Sequence, residues 1–262
     1  MDIVNKGPLL VRRHGDHVAV VTLNRPEVHN AISAVMSEAL ERAVEDIEAD
    51  STIRVAVLSA AGGRSFCAGA DLSEVAAGKG ALIARPRTGF AGFVRAERTK
   101  PWIAAVDGAA LGGGTEISLA CDMIVAGDGA RFGLPEVRRG IFAGAGGVIR
   151  LSRSVSRPIA MEMLTVGAPV TAARAAEICL INRVVPAGTA LDEAIAMADQ
   201  IADNAPIAVR ESIRLLRLAA DGDEPRLWEE NACSRDVIVA SEDAREGPRA
   251  FMEKRKPVWS GR

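Results

Sequence analysis

The sequence predicts an α/β fold. Short apolar runs that read as strands alternate with segments of helical periodicity through the first two-thirds. Glycine-rich turns separate them, and the last third is largely helical. Leu9-Leu10-Val11 and Val18 to Leu23 read as two strands joined at His14-Gly15-Asp16, a hairpin signal. Asn24-Arg25-Pro26 ends the second strand. Ile32, Val35, Met36, Ala39, Leu40, Ala43, Val44 and Ile47 then recur at three- and four-residue steps, which predicts an amphipathic helix. Val55 to Leu58 is a short apolar run of the buried-strand type.

Ser59 to Asp71 is a small-residue turn containing Gly62-Gly63 and Phe66-Cys67-Ala68-Gly69-Ala70-Asp71, and a helix is expected from Leu72. Gly78 to Gly89 mixes glycine with Lys79, Arg85, Pro86 and Arg87, which predicts a loop. Trp102 to Val106 and Met123 to Ala126 read as strands on either side of a helical Glu116 to Ala120. Leu191, Ile195, Ala198 and Ala202 step at helical spacing, as do Val209, Ile213, Leu216 and Ala220, with Pro206 suited to a first helical position. Asp223 to Ala240 also reads as helix, and Pro248 as the opening of a last stretch reaching Lys254. The texture changes beyond Val185, and a boundary near residue 195 divides the chain into 1–195 and 196–262. No low-complexity segment or strict short-period repeat is apparent.

Composition narrows the function. The chain has 262 residues, long enough to bury a real core. Hydrophobic residues at 48% and charged residues at 25% describe a soluble globular protein. A formal net charge of −2 gives no electrostatic case for nucleic acid or an anionic membrane surface. No apolar run is long enough to span a bilayer, and Met1 to Lys6 lacks the basic-then-apolar pattern of a signal peptide. Cys67, Cys121, Cys179 and Cys233 are far apart without metal-ligand spacing, and His14, His17 and His29 form no ligand set with them. Reduced thiols, a cytoplasmic location and no metal are therefore expected.

The chemistry centres on Ala109-Ala110-Leu111-Gly112-Gly113-Gly114-Thr115-Glu116. Glycines after a strand let the backbone bend sharply and bring N–H groups against a ligand. A helix start adds unpaired donors and the positive end of the helix dipole. The pair suits a phosphate or the oxyanion of a thioester enolate. The Lys-Ser/Thr of a phosphate loop is missing. The same residues also fit a tight strand-to-helix turn without chemistry. Glu116 and Glu136 each follow such a turn. Two carboxyls with raised ionisation midpoints around one water could divide acid and base work. A glutamate in a first helical turn is also simply a good partner for the dipole.

Several motifs in order resemble the enoyl-CoA hydratase/isomerase (crotonase) superfamily. They are Leu23-Asn24-Arg25-Pro26, Phe66 to Leu72, Pro101 to Gly114, Phe132-Gly133-Leu134-Pro135-Glu136, Gly144-Ala145-Gly146-Gly147 and Glu253-Lys254-Arg255. The resemblance spans essentially the whole chain. It implies a spiral of ββα turns followed by a C-terminal helical region used in trimerisation, assembled as a homo-trimer or a dimer of trimers. It implies an acyl-CoA substrate, with coenzyme A part of the substrate and no separate cofactor. By motif position, the backbone N–H groups of Ala70 and Gly113 would hold the thioester oxygen. Glu116 and Glu136 would handle water, the Ala68 backbone would lie against adenine, and Lys254 would reach CoA, commonly from a neighbouring subunit.

The function so implied is enoyl-CoA hydration. The alternatives are a carnitinyl-CoA dehydratase-like lyase, an enoyl-CoA isomerase and a catalytically silent CoA-binding protein. Thr115 stands where cysteine is common in the family, and Ile141-Phe142-Ala143 replaces a stretch that often carries proline. Glu27 stands where a basic CoA contact is often found, which leaves Arg25 or the Lys79–Arg87 loop to compensate. The stretch Ser241 to Pro248 and the tail to Arg262 are similar to carnitinyl-CoA dehydratase and equally to many bacterial hydratases. Without tyrosine, and with three tryptophans and six phenylalanines, material for a cation cage is scarce. Cys67 beside the turn reads as a packed thiol.

Overall fold

The structure, a computed structural model, describes residues 7–220 and 222–262. The reading of Met1 to Lys6 lies outside the described residues. The chain opens as the expected hairpin: Leu9–His14 pairs antiparallel with Val18–Leu23, in the register Leu9 to Leu23 and His14 to Val18. From there the sheet grows in parallel. Val18–Leu23 is followed by Val55–Ala60, Trp102–Val106, Met123–Gly127 and Arg183–Val185, giving six strands in that order.

A second sheet of short strands runs beside the first. Its order is Val170–Thr171, Arg131–Gly133, Ala109–Leu111 and Ser65–Cys67. Each of the next three long strands is followed by a short strand of the second sheet and then by helix. Val55–Ala60, Trp102–Val106 and Met123–Gly127 thus begin three successive strand-strand-helix units, which is the expected spiral.

The sheet is buried on both faces, so its strands are nearly continuous apolar runs. Alternate side chains serve two cores. Val18, Val20, Val55, Val57, Ile103 and Val125 meet Ala190, Ala194, Met197, Ala198 and Ala202 of the helix Ala190–Ala202. Ala19, Val21, Leu23, Ala56 and Leu58 face the other way and join the main core. Residue 195 lies inside that helix, and the helices that follow begin at Pro206.

The first long helix runs from Ala34 to Ala49 and buries Met36, Leu40, Ala43, Val44 and Ile47. Ser33 caps it by accepting the Met36 N–H at 3.2 Å. Ile32, read from periodicity as helical, precedes the cap and forms an isolated parallel bridge with Ala70. The segment 78–89 also differs from the expected loop. It contains a short helix, Gly80–Ile83, and Ala84–Arg85 pairs antiparallel with Gly89–Phe90. These elements are too short to leave a periodic signal.

Beyond Pro206 come the helices Pro206–Ala219, Glu224–Ala240 and Asp243–Met252. Pro248 sits inside the last of these instead of opening it. The helix starts at Asp243, and Ser241 just before it accepts the Ala244 N–H at 3.1 Å. No helix among the described residues is long and apolar enough to cross a membrane.

Candidate active site

A cavity of about 650 Å³ opens where the second sheet ends and the helices begin. Ala68, Gly69 and Ala70 line one wall, Leu111, Gly112, Gly113 and Glu116 a second, and Glu136 a third. The backbone makes the first wall rigid. Ile32 donates its N–H to Gly69 O at 2.8 Å, and Asp71 donates to Ile32 O at 2.9 Å. Ala70 is left between them with its N–H unpaired among the described residues.

The second wall is shaped by Gly112 and Gly113. Gly112 has φ +56°, a left-handed conformation that favours glycine, and it turns the chain from strand directly into the helix Gly113–Ala120. Gly113 is the first helical residue, so its N–H has no partner inside the helix. A Cβ there would lie 2.5 Å from Phe90 Cε1, so only hydrogen fits beside the ring. A Cβ on Gly69 would lie 3.3 Å from the Gly113 nitrogen. The two turns carrying the unpaired N–H groups of Ala70 and Gly113 are thus in close approach.

Thr115 stitches the strand ends behind this wall. Its hydroxyl lies 2.7 Å from Ala110 O and accepts the Gly133 N–H at 3.0 Å. Cys67 is fully buried, its Sγ accepts the Gly69 N–H at 3.4 Å, and burial pushes its thiol up to about 12. It is a packing residue.

The carboxyls occupy contrasting settings. Glu116 lies in the first turn of its helix, 4% exposed, and its Oε1 accepts the Gly147 N–H at 2.9 Å. Burial pushes this carboxyl up to about 7, with the Glu136 charge adding to the rise. The N–H groups of Gly147 and Ala145 and the Arg150 charge oppose it. Glu136 lies in the 3₁₀ turn Pro135–Arg139. Its Oε2 is buried with no hydrogen-bond partner among the described residues. Burial raises this carboxyl too, against its own backbone N–H and Arg139. A Cβ on Gly112 would meet Glu136 Oε1 at 3.1 Å, so the carboxyl overhangs the glycine turn. Two carboxyls shifted toward neutrality and the two residues with unpaired N–H groups therefore line one cavity.

Of the seven positions singled out from sequence, Arg25, Ala68, Ala70, Gly113, Glu116 and Glu136 line this cavity. Lys254 does not; it follows the last helix, in a left-handed conformation with φ +54°. Arg25 is tied in place, donating to Ala31 O at 2.8 Å and pairing with Asp71 at 3.0 Å. Its charge is thus shared with a carboxylate at the cavity mouth. Ile141 and Phe142 line the rim, Phe142 being 71% exposed. Sequence reasoning missed Phe90 and the N–H of Gly147. The second glycine cluster signalled the latter, while nothing in the sequence signalled Phe90. Among the described residues no group of three or more His, Cys, Asp or Glu side chains is placed to hold a metal ion.

A model of the enoyl-CoA hydratase/isomerase family matches residues 13–262. The chain is 38% identical to enoyl-CoA hydratase EchA19 of Mycobacterium tuberculosis, covering 100% of both chains. It is 40% identical to the carnitinyl-CoA dehydratase of Proteus mirabilis strain HI4320, covering 94% of this chain and 95% of the relative. Among solved structures, an enoyl-CoA hydratase from Mycobacterium tuberculosis H37Rv superposes with TM-score 0.94 at 40% identity. That match covers 98% of this chain and 100% of the other.

Proposed function

The chain belongs to the enoyl-CoA hydratase/isomerase family and is an enzyme of it; on that premise we propose that it adds water reversibly to a 2-enoyl-CoA thioester. The observation that carries this reading is the pairing of two raised carboxyls, Glu116 and Glu136, with the unpaired N–H groups of Ala70 and Gly113 on one cavity. The thioester oxygen binds between the two N–H groups. As water adds to Cβ, negative charge moves onto that oxygen, where the donors stabilise it without reorganising. One carboxylate takes a proton from the water and the other carboxyl delivers a proton to Cα. Glu116 and Glu136 divide these roles between them, and the reverse sequence gives dehydration. Carboxyls near neutrality suit both directions, because each must exist in two protonation states during a turnover.

The remaining contacts serve the CoA part of the substrate. The Ala68 backbone lies against adenine, and Arg25, held by Asp71, flanks the mouth. Lys254 reaches CoA from a neighbouring subunit. That contact needs an assembly, and we infer a homo-trimer or a dimer of trimers formed through the C-terminal helices. Those helices expose Leu216 at 73%, Trp228 at 65% and Phe251 at 85%, an apolar display suited to burial between subunits. Light scattering is expected to give three or six times the monomer mass; a monomer would remove this part of the reading.

Crotonyl-CoA is the substrate that tests the hydratase reading. The expected result is loss of the conjugated enoyl-thioester absorbance with formation of 3-hydroxybutyryl-CoA. Conversion of a 3-enoyl-CoA to the 2-enoyl isomer without hydration would replace the hydratase reading by an isomerase. Binding without turnover of either would leave a CoA-binding protein.

A further inference from the structure

A second cavity, of about 500 Å³, adjoins the first and shares Phe90, Gly144 and Ala145 with it. Its lining is strongly basic. Arg85, Arg95, Arg150 and Arg153 contribute to it, and no acidic residue among the described ones does. Arg85 is offset by an ion pair with Glu41. Arg95 donates to a carbonyl, that of Pro86. Arg150 is half-buried, its guanidinium is held by the carbonyls of Val94 and Ala145, and the Glu116 carboxyl acts on it from the first cavity. Arg95 and Arg153 thus carry most of the recess's positive charge. The glycine cluster makes room for Arg150, since a Cβ on Gly146 would lie 2.1 Å from its Nη1. Carbonyl dipoles orient a guanidinium but do not neutralise it, and a partly desolvated cation is stabilised by a matching anion. Guanidinium groups in a recess favour a carboxylate, which they can bind through paired N–H donors.

The position of this recess says which anion it would meet. The CoA-side positions Arg25 and Ala68 line the first cavity but not the second. The shared Gly144 and Ala145 immediately precede the Gly146-Gly147 turn that holds Glu116. An acyl chain leaving the thioester past Glu116 would therefore run toward the arginines. We propose that the second cavity is the distal part of the acyl site and takes an acyl group whose far end carries a carboxylate. This rests on the acyl-CoA reading given above and narrows its substrate class to dicarboxylic acyl thioesters.

Binding separates this inference from catalysis. Dissociation constants of adipyl-CoA and suberyl-CoA, which carry a distal carboxylate, are compared with those of hexanoyl-CoA and octanoyl-CoA. None of the four has a double bond to hydrate. At one or both lengths the dicarboxylic ester is expected to bind at least tenfold more tightly. Arg95→Glu, on an exposed side chain outside the catalytic cavity, is expected to reduce that ratio at least tenfold. The readout is the ratio at one chain length, which a general loss of acyl binding does not move, and measurable crotonyl-CoA turnover shows that the variant is folded. Equal or weaker binding of the dicarboxylic esters at both lengths would overturn the proposal. So would a preference untouched by both Arg95→Glu and Arg153→Glu. Failure of hexanoyl-CoA itself to bind would instead strike the acyl-CoA reading on which the proposal rests.

Discussion

Glu116→Gln is expected to lower kcat for enoyl-thioester hydration by about 10²–10⁴-fold, the range that positioned acid–base groups contribute, and Glu136→Gln by a similar factor. KM should change little, because neither carboxyl is needed for the N–H groups of Ala70 and Gly113 to hold the thioester oxygen. The substitution is nearly isosteric, and the amide oxygen of the new side chain can still accept the Gly147 N–H, so the cavity wall should survive. What disappears is the capacity to exchange a proton with water or with Cα. Steady-state kinetics on crotonyl-CoA check this; unchanged kcat in either variant would remove that glutamate from the mechanism.

The same Glu116 variant has a stability signature with a definite sign. The carboxyl ionises near its ordinary value of 4.5 in the unfolded chain and at about 7 in the fold. Its contribution to stability is fully present below the unfolded value and is lost as pH rises through the folded one. The loss amounts to about 3 kcal/mol once the group is ionised in the fold, at roughly 1.4 kcal/mol per tenfold change in proton affinity. The neutral amide carries no such loss. Glu116→Gln should therefore gain about 2–3 kcal/mol relative to the natural protein between about pH 5 and pH 8. Denaturant unfolding at both pH values measures it, and a constant difference would mean that Glu116 is not held near neutrality.

Gly113→Ala is expected to cost about 10²–10³ in kcat, the loss associated with one oxyanion donor. The added Cβ would lie 2.5 Å from Phe90 Cε1 and 3.2 Å from Gly69 Cα. Either the Phe90 ring moves or the helix start does, and both displace the N–H from the position it must hold relative to Ala70. Overpacking should also destabilise the fold by about 1–3 kcal/mol. Thermal unfolding of the variant separates the two effects. A folded variant with the natural kcat would mean that the Gly113 N–H does not hold the developing charge.

Much of this architecture was legible because it rests on strong local signals. The hairpin, the helix at 34–49 and the buried strands follow from patterning and turn chemistry. The positions around the cavity came from motif resemblance, because periodicity cannot tell a glutamate that moves protons from one that complements a helix dipole. What stayed hidden depends on contacts distant in sequence. Ile32 fitted the helical spacing, yet its backbone pins Gly69 and Asp71 and so fixes Ala70. Phe90 ends a two-residue strand with no periodic signature and gains its role only where Gly113 approaches its ring. Pro248 suits a helix start because its missing N–H is tolerated there, while the helix begins five residues earlier, at Asp243.

We propose that this cavity adds a water molecule across the double bond of an enoyl thioester. Turnover of crotonyl-CoA in water enriched in oxygen-18 and deuterium tests it most directly, with the product read by mass spectrometry. The expected product is an intact CoA thioester with solvent oxygen on C3 and solvent deuterium on C2, both lost in Glu116→Gln and Glu136→Gln. Crotonyl-CoA recovered without either label, or oxygen-18 found in a released carboxylic acid, would contradict the proposal.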